Sequence, residues 1–300
     1  MHKHFSLKRL YRAIFVFIAT VSPPLAAHAQ DCELVSYGEV PITRSADGNV
    51  RLAGVLDDKP VQVGIDFDRP FSLISRAEAD KRDVRIKVGM QLITPGEDSL
   101  NDVAAFGSLR LAAADLHPFE AFIDERRKSV EGIVIGTNVL KNFLPEFDIA
   151  HDVIRLFARP HCEDKLVYWS TEYLKLSYEE IGGRFVIKAK IDGKDAHVAL
   201  APGLPRSMVD NEAVNTMSLQ RGDGDSAKLD TLEFGGVKLR NLAVGTGNLM
   251  PELRFPHGAN THLSARRTIE ATDLKIGDDV LKHLRFIIDF QAKTIYFTVG

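Results

Sequence analysis

The sequence predicts a mainly β protein built of two similar lobes, and three observations predict it. Short runs rich in Val, Ile and Phe, among them VRLAGVL, VQVGI, VIRLFA, RFVIKAKI and TIYFTVG, are bounded by Gly, Asp, Asn or Pro, the pattern of short strands between turns. Residues 57–74, DDKPVQVGIDFDRPFSLI, align without a gap with residues 192–209, DGKDAHVALAPGLPRSMV, at an offset of 135. Further on, GTNVLKNFLPEFD at 136–148 matches GDDVLKHLRFIID at 277–289 in Gly, Val, Leu, Lys and the final Asp. The two repeats keep their order along the chain, which an internal duplication explains and coincidence does not.

The first 29 residues read as a leader and not as part of the fold. Lys3, Lys8, Arg9 and Arg12 precede the apolar stretch AIFVFIATVSPPLAA, and Ala27-His28-Ala29 offers small residues where a signal peptidase reads. The alternative is a membrane anchor, but Pro23 and Pro24 interrupt a run already shorter than the ~20 apolar residues a spanning helix needs. Removing the leader leaves 34 basic residues against 41 acidic ones, a net charge of −7, which argues against a nucleic-acid partner. No later apolar run is long enough to span a bilayer, so the mature chain is expected to be periplasmic, without an integral membrane segment. Cys32 and Cys162 are then its two cysteines, and in an oxidising compartment such a pair predicts a structural disulfide worth about 4–5 kcal/mol in the chain-entropy picture; two unpaired thiols are the alternative.

The repeat divides the mature chain into a lobe at 30–160, a joining segment at 161–171 and a lobe at 172–300. Each lobe reads as strand, turn, strand, a hairpin, further strands, a short helix and a last strand pair. Helices are expected at SRAEADKR after Ser75, at NVLKNF (138–143) and at DDVLKHL (278–284), the last two opened by Asn or Asp as capping residues. Between the anchors, FGSLRL at 106–111 is aligned with FGGVKL at 234–239. QLITPGEDSLNDVAAF at 91–106, with Pro95-Gly96 at its tip, reads as a hairpin or a plain surface loop.

At this point the chain resembles the retropepsin-like and pepsin-like aspartic peptidases, and in particular exported bacterial members. The resemblance rests on an apolar strand running into an Asp-Thr-Gly-Ala turn, a Ser and a second apolar strand, followed much later by an apolar-apolar-Gly segment entering a short helix. EGIVIGTNVLKNF and TDLKIGDDVLKHL supply those later segments. The resemblance implies a two-lobed acid-protease-like β-barrel architecture, a cleft between the lobes that takes a peptide or protein, no cofactor, and a monomer. It also places the 91–106 hairpin where the family carries its flap.

The family's chemistry needs one carboxylate from each lobe, close enough to share a proton, so that one acts as acid and the other as base on a water. In lobe one the four turn positions are Asp66, Phe67, Asp68 and Arg69; in lobe two they are Ala201, Pro202, Gly203 and Leu204. Asp66 takes the place of a catalytic aspartate, but Ala201 has no carboxylate, Phe67 has no hydroxyl to brace the loop, and Asp68 lacks the freedom of Gly. Asp68 as a substitute partner would require the site geometry to be rebuilt, and dimerisation of Asp66 meets a second lobe already in the partner's place. Ser72 and Ser207 sit at matched places after the turns and read as structural hydroxyls. Seven histidines, His117, His151, His161, His197, His257, His262 and His283, show no zinc spacing, and no phosphate-binding glycine motif occurs. The expected protein is therefore a catalytically impaired relative with a peptide-binding cleft; the alternative is an active endopeptidase centred on Asp66.

Overall fold

A computed structural model describes residues 34–45, 48–67, 69–94, 97–125, 132–159, 165–181, 184–249 and 272–299. The expected leader, Cys32, Cys162, Asp68 and the hairpin tip Pro95-Gly96 lie outside them, as do His161, His257 and His262.

Each lobe carries a β-hairpin whose sequence fixes its turn. Val50–Leu56 pairs with Lys59–Ile65 through Leu56↔Lys59, and Arg184–Ile191 pairs with Lys194–Leu200 through Ile191↔Lys194. Both loops have two residues at positive φ, Asp57 (47°) and Asp58 (61°) in one, Asp192 (50°) and Gly193 (78°) in the other. Asp and Gly tolerate that conformation, and its twist matches the flanking strands. Val50, Leu52, Val61 and Val63 are buried from the first hairpin and Ile187, Ala196 and Val198 from the second, so alternation directs both hairpins into the core.

The second hairpin strand of each lobe next lies parallel to a short central strand. Lys59–Ile65 runs beside Ile133–Ile135, and Lys194–Leu200 beside Leu274–Ile276. The chain then turns, and Leu73–Ser75 or Met208–Asp210 returns antiparallel on the other side of that central strand. The two turns are thus held across the ends of central strands, at equivalent places in the two lobes.

Four α-helices occur among the described residues: Arg76–Lys81, Thr137–Leu140, Asn211–Thr216 and Asp278–Leu281. Asn211–Thr216 was not expected, although it stands 135 residues after Arg76–Lys81. Ser75 caps the first of this pair, accepting from the Glu78 N–H at 3.2 Å; Asp210 caps the second, accepting from the Glu212 N–H at 2.8 Å. The expectation of Asn and Asp caps on the other two helices is corrected: Gly136 and Gly277 occupy those positions without a side-chain bond. Asn138, Asp278 and Asp279 lie inside the helices and turn their side chains to the neighbouring turns.

The alignment of FGSLRL with FGGVKL is also corrected. Asp57 N–H donates to the Ser108 carbonyl and Asp57 Oδ1 accepts from the Ser108 N–H; Asp192 makes the same two bonds with Thr231. Ser108 therefore corresponds to Thr231, and residues 106–111 correspond to LDTLEF at 229–234. The hairpin turn at Ala112 (φ 50°) is then the twin of the turn at Gly235 (φ 52°).

A six-stranded sheet joins the lobes. Leu144–Asp148 lies antiparallel to Leu284–Asp289; Val153–Phe157 and Ser36–Arg44 extend it on one side, Thr294–Val299 and Leu174–Ser177 on the other. The opposed residues Glu146 and Ile287 are also repeat equivalents, so the approximate two-fold axis of the protein passes between them. On one face Phe147 and Phe286 stack at 5.0 Å and join an apolar cluster drawn from both lobes. On the other face Leu166 and Trp169, from the segment between the lobes, pack against Leu144, Phe157 and Ile287.

Candidate functional site

The two turns are held by the same backbone bonds. Asp66 N–H donates to the Ile135 carbonyl at 3.0 Å, and Ala201 N–H to the Ile276 carbonyl at 2.9 Å. The Arg69 carbonyl accepts from the Thr137 N–H at 2.8 Å, and the Leu204 carbonyl from the Asp278 N–H at 2.7 Å. Glycine is required where the helices meet the turns. A Cβ on Gly136 would stand 2.2 Å from the Phe71 carbonyl oxygen, and one on Gly277 2.5 Å from that of Leu204.

The serines brace this arrangement. Ser72 Oγ accepts from the Gly136 N–H at 3.4 Å and donates to Asn138 Oδ1 at 3.2 Å. Ser207 Oγ accepts from the Gly277 N–H at 3.0 Å and donates to Asp279 Oδ1 at 2.7 Å. Both hydroxyls are turned toward the chain that holds the turns, and both residues are buried.

Asp66 and Ala201 meet at one cavity of about 230 Å³, lined also by Arg51, Phe67, Gly203 and Lys275. The Asp66 carboxylate is ion-paired within its own turn, with Arg69 Nε 3.1 Å from Oδ2 and both side chains about a quarter exposed. Phe67 is only 4% exposed and packs edge-on against Phe147 at 5.4 Å and Phe185 at 5.7 Å. It therefore carries the first turn into the core shared with the second lobe, where burial of such a ring contributes about 2–3 kcal/mol.

On the facing turn Pro202 and Gly203 are buried and Leu204 is half-buried. Gly203 needs to be glycine: its φ is +98°, and an added Cβ would stand 3.2 Å from the Val50 side chain. Its N–H donates to Asp278 Oδ1 at 3.0 Å. Burial raises the Asp278 pKa above the ordinary carboxylate value, against the opposing pull of the Gly203 N–H and Arg44. The acid that approaches the second turn is thus engaged by Gly203 on one oxygen and by Arg44, at 3.5 Å, on the other.

Of the described histidines, His151 bonds Asp148 at 2.6 Å and His117 lies 2.9 Å from Asp115. No group of three His, Cys, Asp or Glu that could hold a metal occurs among the described residues. No helix among them is long and apolar enough to cross a membrane.

No family model matches the sequence, and no curated protein matches it. Solved structures do. The aspartic proteinase from Irpex lacteus superposes with a TM-score of 0.54 at 10% identity, over 88% of this chain and 97% of that one. The fold is that of an aspartic proteinase. A retropepsin-like aspartic protease from Rickettsia conorii also matches, at a TM-score of 0.33 and 14% identity, over 42% of this chain and 96% of that one. On this aspartic-proteinase fold the described turns present one carboxylate, Asp66, opposite an alanine. Sequence reasoning missed Arg51, Lys275 and Asp278 as neighbours of the turns. The repeat held the signal for two of them, since Arg51 corresponds to Val186 and Lys275 to Val134, a charge standing for an apolar residue each time.

Proposed function

We propose that the chain is a non-catalytic protein of aspartic-peptidase type that holds an extended peptide or protein segment between its lobes. The observation that carries this reading is the pair of turns at one cavity, Asp66 on the first and Ala201 on the second. Peptide hydrolysis by the two-carboxylate route needs an acid and a base that share a proton, and alanine provides neither. The remaining carboxylate is held against Arg69, a contact that occupies one of its oxygens. The cavity and the long hairpin of Arg85–Thr94 and Glu97–Phe106 support a binding role, because an extended segment can add to strand backbone and be gripped through its side chains. Export across the inner membrane and a Cys32–Cys162 disulfide belong to the same proposal.

The test is incubation of the mature protein with a diverse peptide library from acid to neutral pH, beside Asp66→Asn, with cleavage and binding followed by mass spectrometry. The expected outcome is retention of a subset of peptides and no new termini in either sample. Cleavage present in the wild type and absent from Asp66→Asn would overturn the proposal in favour of an endopeptidase centred on Asp66.

A further inference from the structure

Strand pairing makes Arg44 and Glu180 equivalent. Arg44 lies opposite Val50 and Glu180 opposite Phe185, and those two partners stand 135 residues apart, the offset of the hairpin repeat. Each of the two side chains reaches the short helix of the other lobe. Arg44 Nη2 lies 3.5 Å from Asp278 Oδ2, and Glu180 Oε1 lies 3.0 Å from Nζ of Lys141, the residue that closes Thr137–Leu140. The charges are exchanged between the two contacts: the first lobe offers the cation in one, the second lobe the anion in the other. The adjoining turns follow the same exchange. The Asp152 carbonyl accepts from the Ile42 N–H and that of Lys293 from the Tyr178 N–H, and these counterparts share a positive φ of 52° and 50°. Asp152 also pairs with Arg44.

The helices that receive these contacts are the ones that hold the turns. The Thr137 N–H donates to the Arg69 carbonyl of the first turn, and the Asp278 N–H to the Leu204 carbonyl of the second. Asp278 Oδ1 also accepts from the Gly203 N–H. Arg44 thus reaches the second turn from the first lobe, and Glu180 reaches the first turn from the second lobe. Related by the approximate two-fold axis, the two contacts lie on opposite sides of it. Strands crossing at the axis leave the lobes free to rock about their shared sheet, and contacts on either side restrain that motion.

We propose that Arg44–Asp278 and Glu180–Lys141 are paired clamps between the lobes, which fix how the two turns face each other across their cavity. Ion pairs with exposed members contribute little to overall stability, and Arg44 is 36% exposed and Lys141 41%. Their role is geometric. Reversing one charge turns attraction into repulsion on that side of the axis alone, and a second reversal across the same contact restores it. The clamps act whether or not the cleft takes a peptide.

Residual dipolar couplings of the mature protein test the proposal, because they report the orientation of one lobe relative to the other. In the wild type a single alignment tensor should describe the strands of both lobes. Glu180→Lys should require two tensors and speed hydrogen exchange at the Thr137 N–H, and Arg44→Gln should require two and speed exchange at the Gly203 N–H. Lys141→Glu combined with Glu180→Lys should return the single tensor and the slow exchange. Two tensors already in the wild type, or one tensor in either single variant, would overturn the proposal. Failure of the double variant to restore the wild-type pattern would overturn it as well. Glu180→Gln takes the place of Glu180→Lys if the latter does not fold, and is read in the same way.

Discussion

Asp278 shows how one residue carries the chemistry of a turn without belonging to it. Its carboxyl is buried, and that burial outweighs the Gly203 N–H and Arg44 in setting its pKa above the ordinary value. A raised folded-state pKa means that ionisation costs folding free energy. The cost is absent below the unfolded-state pKa, grows as pH rises toward the folded one, and persists above it. Asp278→Asn keeps an oxygen for the Gly203 N–H and removes the titration. Its melting temperature relative to the wild type should therefore improve as pH rises from the carboxylate range to neutrality; a difference independent of pH in paired thermal melts would contradict this account. At Phe67 the same economy is visible in a different form. The ring occupies core space between Phe147 and Phe185, so the turn is held by packing where a hydroxyl would hold it by hydrogen bonds.

Among the elements, Asn211–Thr216 depends most on a single side chain. Asp210 Oδ1 accepts from the Glu212 N–H at 2.8 Å, and Oδ2 accepts from the Leu249 N–H at 2.7 Å, so one carboxylate caps the helix and fastens the backbone at Leu249. Asp210→Ala should cost about 2 kcal/mol, a cap plus a buried hydrogen bond, in a denaturant titration. This helix was illegible because only Ala213 and Val214 are buried from it, too few to show a period, although the repeat of Ser75 by Asp210 marked its start. The hairpins were legible because Asp57-Asp58 and Asp192-Gly193 dictate their turns. The register of FGSLRL was not, because the shared Phe-Gly drew the match five residues too far along, and the bonds of Asp57 and Asp192 fix it. In the candidate site, Asp66 and Ala201 could be found from the turn itself. Arg51 and Lys275 could not, since strand pairing brings them there from elsewhere in the chain.

Across the whole molecule the lobes are joined at the two-fold axis by charge as well as by strands. Glu146 is fully buried there, with Arg155 Nη1 at 2.7 Å and Arg285 Nε at 2.9 Å from Oε1. Arg155 also reaches Glu39 and Asp148, while the Trp169 ring lies 4.5 Å from the Arg285 guanidinium. Burial pushes the Asp148 carboxyl up, but His151, Arg155 and Arg285 together hold it below the ordinary range. Glu146→Ala would leave both guanidinium groups short of a buried partner and should cost roughly 3–5 kcal/mol on chemical unfolding; a loss under about 1 kcal/mol would show that solvent replaces the carboxylate. The shared sheet has a further consequence for how the protein can be divided. A gene cut between the lobes would yield two halves, each with a bare strand, Leu144–Asp148 or Leu284–Asp289, whose N–H and C=O groups had lost their neighbours along one side. Such an open edge recruits whatever chain is nearest, so the halves should reassemble with each other when made together and aggregate when made apart.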